Sequence, residues 1–259
     1  MRILVLNPNM TDAVTQMLLA AARPAAAVGT ELTGLTAARG VPYIASRSEA
    51  QIAGAITLEM LAEHHRDYDA VVLAAFGDPG LLPARELFDI PIIGMAEAAM
   101  LTACTLGQRF GIVTFTTTMG NWYQDTVDTY RLGARCAGIR ARSLAFSSIE
   151  NVQAEREQAI AELSREAVEI DGADVVILGG APLAGMAGRL RAQVPVPIVD
   201  PIVAAVKMAE TLVTLAPRKA QAGTFSRPPA KPTHGLAAPL AARIEHLDEN
   251  RVALAPAAQ

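Results

Sequence analysis

Val71-Val72-Leu73-Ala74-Ala75-Phe76-Gly77-Asp78-Pro79-Gly80 is an apolar run that stops in a turn built from glycine, aspartate and proline. A continuous apolar run without alternation is the pattern of a strand buried on both faces, as in a parallel sheet, and the Gly/Asp/Pro cluster ends it. In open α/β sheets the carboxyl ends of the strands are where ligands bind, so this turn predicts one wall of a site. A second run of the same kind, Asp174-Val175-Val176-Ile177-Leu178-Gly179-Gly180-Ala181-Pro182-Leu183, lies about a hundred residues downstream. The two turns are expected to face each other across one site.

Around these runs the sequence alternates strands and helices. Residues 2–6 form an opening strand that ends at Asn7-Pro8-Asn9-Met10-Thr11, with Asn9 or Thr11 placed to cap the helix that follows. Residues 30–37 predict a second strand, and Ser46 or Ser48 caps a long helix ending near His65. Ile90-Pro91-Ile92-Ile93-Gly94 is a further buried strand, and Glu97 falls in the first turn of the helix after it. Residues 110–115 open into Thr116, Thr117 and Thr118, a hydroxyl cluster suited to hold a carboxylate or an amide at a helix start. Residues 139–146 predict another strand and 150–169 a charged amphipathic helix. His64 and His65 are adjacent, so they point to different sides and read as a solvated helix end. Trp122, the single tryptophan, and Tyr123 read as packing residues.

Residues 68–94 and 172–200 repeat one order: strand, Gly/Pro turn, short helix, and a strand introduced by proline. The expected architecture is α/β, with two pseudo-symmetric Rossmann-like, flavodoxin-like lobes, parallel sheets, and the active site in the cleft between them. Residues 1–96 plus 201–216 make the first lobe and 97–200 the second. Residues 217–259 are basic and proline-rich and read as an extended tail.

Composition narrows the function. Half of the residues, 51%, are hydrophobic and 19% are charged, which suits layered aliphatic packing. The net charge of −4 comes with no basic stripe, which excludes nucleic acid as the expected partner and leaves a small molecule. Two cysteines, Cys104 and Cys136, form neither a disulfide framework nor a metal-ligand spacing. The short, weakly charged amino-terminal run is no signal peptide and no stretch suffices to span a bilayer, so a cytoplasmic protein is expected.

Leu6-Asn7-Pro8-Asn9-Met10-Thr11, Ala75-Phe76-Gly77-Asp78-Pro79-Gly80-Leu81 and Ile92-Ile93-Gly94-Met95-Ala96-Glu97-Ala98-Ala99, with Val113 and its threonines and the run from Asp171 to Gly179, resemble the aspartate/glutamate/hydantoin racemase superfamily. The resemblance covers residues 1 to about 215 and is nearest the hydantoin and allantoin racemase branch. It implies cofactor-independent racemisation, without metal, in a homo-oligomer. In the family one thiolate removes the α-proton while a second thiol delivers one to the opposite face. The resemblance puts those cysteines at Ala75 and Gly180, so both thiols are absent, and Cys104 and Cys136 lie far from both strand ends in the pattern.

Three readings follow. The first is proton transfer at the α-carbon of a hydantoin or small carboxylate by other acids, with Asp78 and Glu97 as catalytic candidates and Tyr123 behind them. The second is a lyase or hydrolase using the threonines and turn amides as an oxyanion cradle. The third is a non-catalytic binder. Asn9, Ala75, Phe76, Gly77, Thr116, Thr117, Thr118, Gly180, Ala181 and Pro182 are the expected substrate-binding residues. Hydrogen and methyl in place of two thiols are expected to enlarge the cleft.

Overall fold

The structure is a computed structural model, and it describes residues 1–143, 145 and 147–248. The elements run β1 (Arg2–Asn7), α1 (Asp12–Ala22), β2 (Glu31–Thr36), α2 (Arg47–His64), β3 (Ala70–Leu73), α3 (Leu81–Leu87), β4 (Ile92–Gly94), α4 (Met95–Leu106), β5 (Phe110–Thr114), α5 (Thr118–Thr129), β6 (Cys136–Ala141), α6 (Val152–Glu169), β7 (Val175–Leu178), α7 (Met186–Leu190), β8 (Ile198–Val199), α8 (Pro201–Leu215) and α9 (Ala238–Ile244).

They form two four-stranded parallel sheets, ordered β2-β1-β3-β4 and β6-β5-β7-β8. The order is the same in both, which is the two-lobed α/β repeat expected from the sequence. The inner strands β3, β5 and β7 are buried at every residue, because helices cover both faces. The edge strands β2 and β6 are only partly covered. Helix α4 leads from β4 of the first sheet to β5 of the second and touches strands of both. Helix α8 returns to pack on β3, β4, α1 and α4.

In each sheet the chain winds outward in opposite directions from the central pair, β1/β3 in one and β5/β7 in the other. At such a switch point the two following loops diverge and leave a crevice beyond the carboxyl ends. Two switch points bring four loops toward one another: those after β1, β3, β5 and β7.

Local signals account for several element ends. Ser46 caps α2, its Oγ accepting the Glu49 N–H at 3.3 Å, while Glu49 Oε2 accepts the N–H of Ala45, the residue before the cap, at 2.7 Å. Gly107 ends α4.

The structure departs from sequence expectation in three places outside the site. His65 is buried rather than solvated; its Nδ1 lies 2.8 Å from Leu61 O and its ring meets Phe88 edge-on, and burial lowers its pKa. β6 begins at Cys136, directly after the turn Gly133–Arg135, and not at Ile139. The tail is not simply extended, since it carries α9, which packs on α2. Lys219 Nζ donates to the carbonyls of Glu86 and Phe88 at the end of α3, both at 2.9 Å. The buried Arg243 guanidinium pairs with Asp89 and Asp248 at 2.5 and 2.7 Å, and the pair with the half-exposed Asp89 ties the tail to the residues after α3. The tail from residue 249 onward lies outside the described residues.

Candidate active site

The four switch-point loops enclose one small cavity. It is lined by Asn9 from the loop after β1, Ala75 and Phe76 from the loop after β3, Phe115 from the loop after β5, and Gly180, Ala181 and Pro182 from the loop after β7. Tyr43, Met119, Trp122 and Tyr123 also line it, with Val14, Ile44 and Ile149. Six of the expected binding residues, Asn9, Ala75, Phe76, Gly180, Ala181 and Pro182, are thus brought together.

Its chemistry is one of donors. Among the described residues, the backbone N–H groups of Ala75, Phe76, Gly180 and Ala181 meet no hydrogen-bond acceptor. Buried backbone donors without partners are rare in folded proteins, and here two from each lobe belong to residues that line the same cavity. Asn9 adds a fifth donor. Its Oδ1 accepts from Asn7 Nδ2 at 3.1 Å and from the Thr11 N–H at 2.9 Å, which fixes the amide so that Nδ2 is left for the cavity. Such an array stabilises an oxyanion or a carboxylate.

Acids are scarce. The ionisable side chains lining the cavity are Tyr43, which is partly exposed, and Tyr123, which is fully buried. The Tyr123 hydroxyl donates to Met119 Sδ at 3.3 Å and lies 3.7 Å from where a Cβ on Gly180 would sit. Burial raises its pKa far above the usual tyrosine range, so the hydroxyl keeps its proton and acts as a donor.

Asp78 and Glu97 are held elsewhere. Asp78 takes a left-handed backbone, φ 50°, and its carboxylate serves as the N-cap of α4 from outside that helix. Oδ1 accepts from the Ala96 N–H, and Oδ2 from the Glu97 N–H and the Tyr130 hydroxyl, all at 2.8 Å. Gly94 precedes α4 because a side chain there would collide with this carboxylate; its Cβ would fall 2.3 Å from Oδ2. Burial pushes the Asp78 carboxyl up to about 6, against the three donors that favour its ionised form. Glu97 is held by Arg85 through a two-pronged pair at 2.9 and 2.5 Å. Neither carboxylate lines the cavity.

The threonine cluster is also outside it. Thr117 and Thr118 are exposed, with the Thr117 hydroxyl bonded to Ser143 at 2.7 Å and Thr116 to Thr118 at 3.1 Å. Gly77 lines a neighbouring cleft instead. Sequence alone does not place Tyr43, Phe115, Met119 or Trp122 at the site, because each reads as an ordinary packing residue until the loops converge.

The cavity is small. Its volume is about 30 Å³, room for a water or two. Phe115 explains this: its Cε1 lies 3.0 Å from the position of a Cβ on Gly180, so the ring takes the space a side chain would claim. Gly180 itself has φ 131°, a conformation that side chains rarely adopt. Ala75 already carries a Cβ and has no such restriction. Ala75→Cys is therefore expected to keep stability within about 1 kcal/mol. Gly180→Cys is expected to lose about 1–3 kcal/mol from backbone strain alone. Urea midpoints of the two variants measure the difference.

Neither cysteine reaches this cavity. Cys136 opens β6 and Cys104 lies in the last turn of α4, both at the amino-terminal edge of the second sheet, opposite the site. Both are half-buried free thiols, and burial raises the pKa of Cys136. Among the described residues no group of three or more His, Cys, Asp or Glu side chains is placed to hold a metal ion, and no helix is long and apolar enough to cross a membrane.

Comparison with known proteins places this geometry among relatives. The profile of the Asp/Glu/Hydantoin racemase family matches residues 3–209. A hydantoin racemase of Paenarthrobacter aurescens is 32% identical over 233 residues, covering 89% of this chain and 99% of the relative. The crystal structure of allantoin racemase from Pseudomonas fluorescens superposes with a TM-score of 0.86 at 32% identity, covering 91% of this chain and 100% of that one. Allantoin racemase from Klebsiella pneumoniae gives a TM-score of 0.85 at 36% identity, covering 90% and 96%.

Proposed function

We propose, from the premise that the chain belongs to the Asp/Glu/Hydantoin racemase family, that it is an isomerase moving a proton at the activated α-carbon of a small cyclic amide or carboxylate without using a thiol. The observation that carries this reading is the set of unpaired donors, Ala75, Phe76, Gly180 and Ala181 N–H with Asn9 Nδ2, around a cavity that contains no cysteine. The substrate is a hydantoin- or allantoin-type ring, or a carboxylate of similar size. Its carbonyl oxygen accepts from the turn amides, so that when a water in the cavity takes the α-proton and passes it to solvent, the negative charge falls on an oxygen that these donors hold. Tyr123, on the Gly180 side and protonated, returns a proton to the carbon and is replenished from solvent. Asp78 and Glu97 act at one remove: Asp78 anchors α4 to the Gly77–Gly80 turn, and Glu97 fixes Arg85 against it.

The lining favours a second reading in one respect. It offers donors and a proton-bearing hydroxyl, but no carboxylate or imidazole to remove a proton. A lyase that breaks the bond from the α-carbon to a carboxyl group, releasing carbon dioxide and leaving the bond's electrons on the enolate, needs those donors and one proton source only. Proton NMR in deuterated water separates the two. Racemisation predicts exchange of the α-proton of hydantoins or allantoin with loss of optical rotation, whereas the lyase reading predicts carbon dioxide release from an α-carboxylated analogue and no exchange. Neither result on any of these compounds would defeat both.

A further inference from the structure

A second cleft lies beside the cavity, with a volume of about 720 Å³. It runs between α2 and α5 over the Gly77–Gly80 turn, with Leu58 and Leu82 supplying apolar surface and Arg47 and Asp125 charge. The Arg47 guanidinium on α2 grips Asp125 on α5 and so ties the two lobes at this cleft, with Nη2 to Oδ1 at 2.7 Å. Trp122 lines both spaces, the small cavity on one side and this cleft on the other. Its ring lies flush on the turn because residue 77 is glycine: a Cβ there would fall 2.3 Å from Trp122 Cζ2, and the glycine sits at φ 111°. The indole also packs on Tyr123, with ring centroids 5.5 Å apart.

The volumes give the arrangement a meaning. Small-molecule sites span about 300–1,000 Å³; the cavity with the donors falls far short and the adjoining cleft falls within that range. We infer that Trp122 is a specificity-determining partition: the reacting carbon sits at the Ala75/Gly180 cavity, and the α2/α5 cleft receives the substituent borne by that carbon when the indole turns aside. The substrate class is then an activated α-carbon bearing a long or bulky group. For its ligand the inference rests on the reaction proposed above, but the partition itself is a property of the chain.

The experiment probes the partition without any substrate. Ala75→Cys is placed in a Cys104→Ser/Cys136→Ser background, and alkylation of the single thiol by iodoacetamide and by N-(1-pyrenyl)maleimide is timed, with and without Trp122→Ala. Removal of the indole is expected to speed the bulky reagent at least about 10-fold and the small one less than about 3-fold. An unchanged ratio of the two rates would overturn the partition. Where Trp122→Ala does not fold, Trp122→Phe serves, with an intermediate ratio expected and an unchanged one again overturning it. The same substitution should shift kcat/KM toward long-chain 5-substituted hydantoins over 5-methylhydantoin by about 10-fold or more. If the wild type turns over no hydantoin, the reaction proposed above fails on that result, and the alkylation ratio still decides the partition.

Discussion

Replacing Tyr123 by phenylalanine is expected to lower turnover by about 10²–10³-fold while leaving the fold intact. The ring is enclosed, making an edge-on contact with Phe76 at 4.8 Å between centroids and a tilted one with Trp122, and Phe preserves both. What is lost is the hydroxyl, which donates to a weak acceptor, Met119 Sδ. A structural role alone would move the melting temperature and leave kcat unchanged. The role proposed here makes the opposite prediction: kcat falls, substrate affinity changes little, and the urea midpoint stays within about 1 kcal/mol of wild type. Because burial holds this hydroxyl protonated far above neutrality, kcat should show no loss from its ionisation between pH 7 and 10. Steady-state kinetics with a urea melt on the same preparations check each part.

Asp78→Ala is expected to act the other way, costing roughly 2–4 kcal/mol of stability while the folded enzyme retains most of its turnover. The substitution orphans two amides of α4 and the Tyr130 hydroxyl together. Its pH signature follows from the raised carboxyl. Between the ordinary aspartate value and about 6 the folded state holds a proton that the unfolded state has lost. The native protein therefore binds more protons in that window, and this group's stabilisation is fully present below about 4 and lost as pH rises through about 6. Subtracting the Asp78→Ala profile from the wild-type profile removes the contributions of His65 and Asp200, whose pKa values are lowered and raised respectively. The difference should fall with rising pH across the window. A flat difference, or a variant as stable as wild type but inactive, would return Asp78 to the catalytic role that its place in the turn suggests.

These two residues show what was legible in the sequence. The fold was, because the inner strands of a doubly covered parallel sheet must be apolar throughout, and Val71–Leu73 and Val175–Leu178 announce that directly. The convergence of the turns was legible for the same reason, since strand ends and switch points fix where loops meet. The direction of the Asp78 side chain was not: it depends on a left-handed backbone at a non-glycine residue and on a helix start eighteen positions away. Gly180 likewise depends on its surroundings. Read as a missing thiol it implied added space, but its positive φ and the Phe115 ring mean that the loop is built around the absence of a side chain. Phe115 and Trp122 carry no sequence signal beyond hydrophobicity, and their importance comes from the loops they separate. Helix α9 was hidden by the prolines around it, and only the pairing of Arg243 with Asp89 shows why that segment is docked.

The central claim is that this member of a racemase family works through backbone donors and Tyr123, with no thiol. The most direct measurement is α-proton washout from a 5-substituted hydantoin in deuterated water, followed by proton NMR, with the wild type and the Cys104→Ser/Cys136→Ser variant side by side. The account predicts washout by both at rates within about 2-fold, since neither sulfur lies at the cavity and surface or edge substitutions are mild. Washout by the wild type that disappears in the folded thiol-free variant would contradict it.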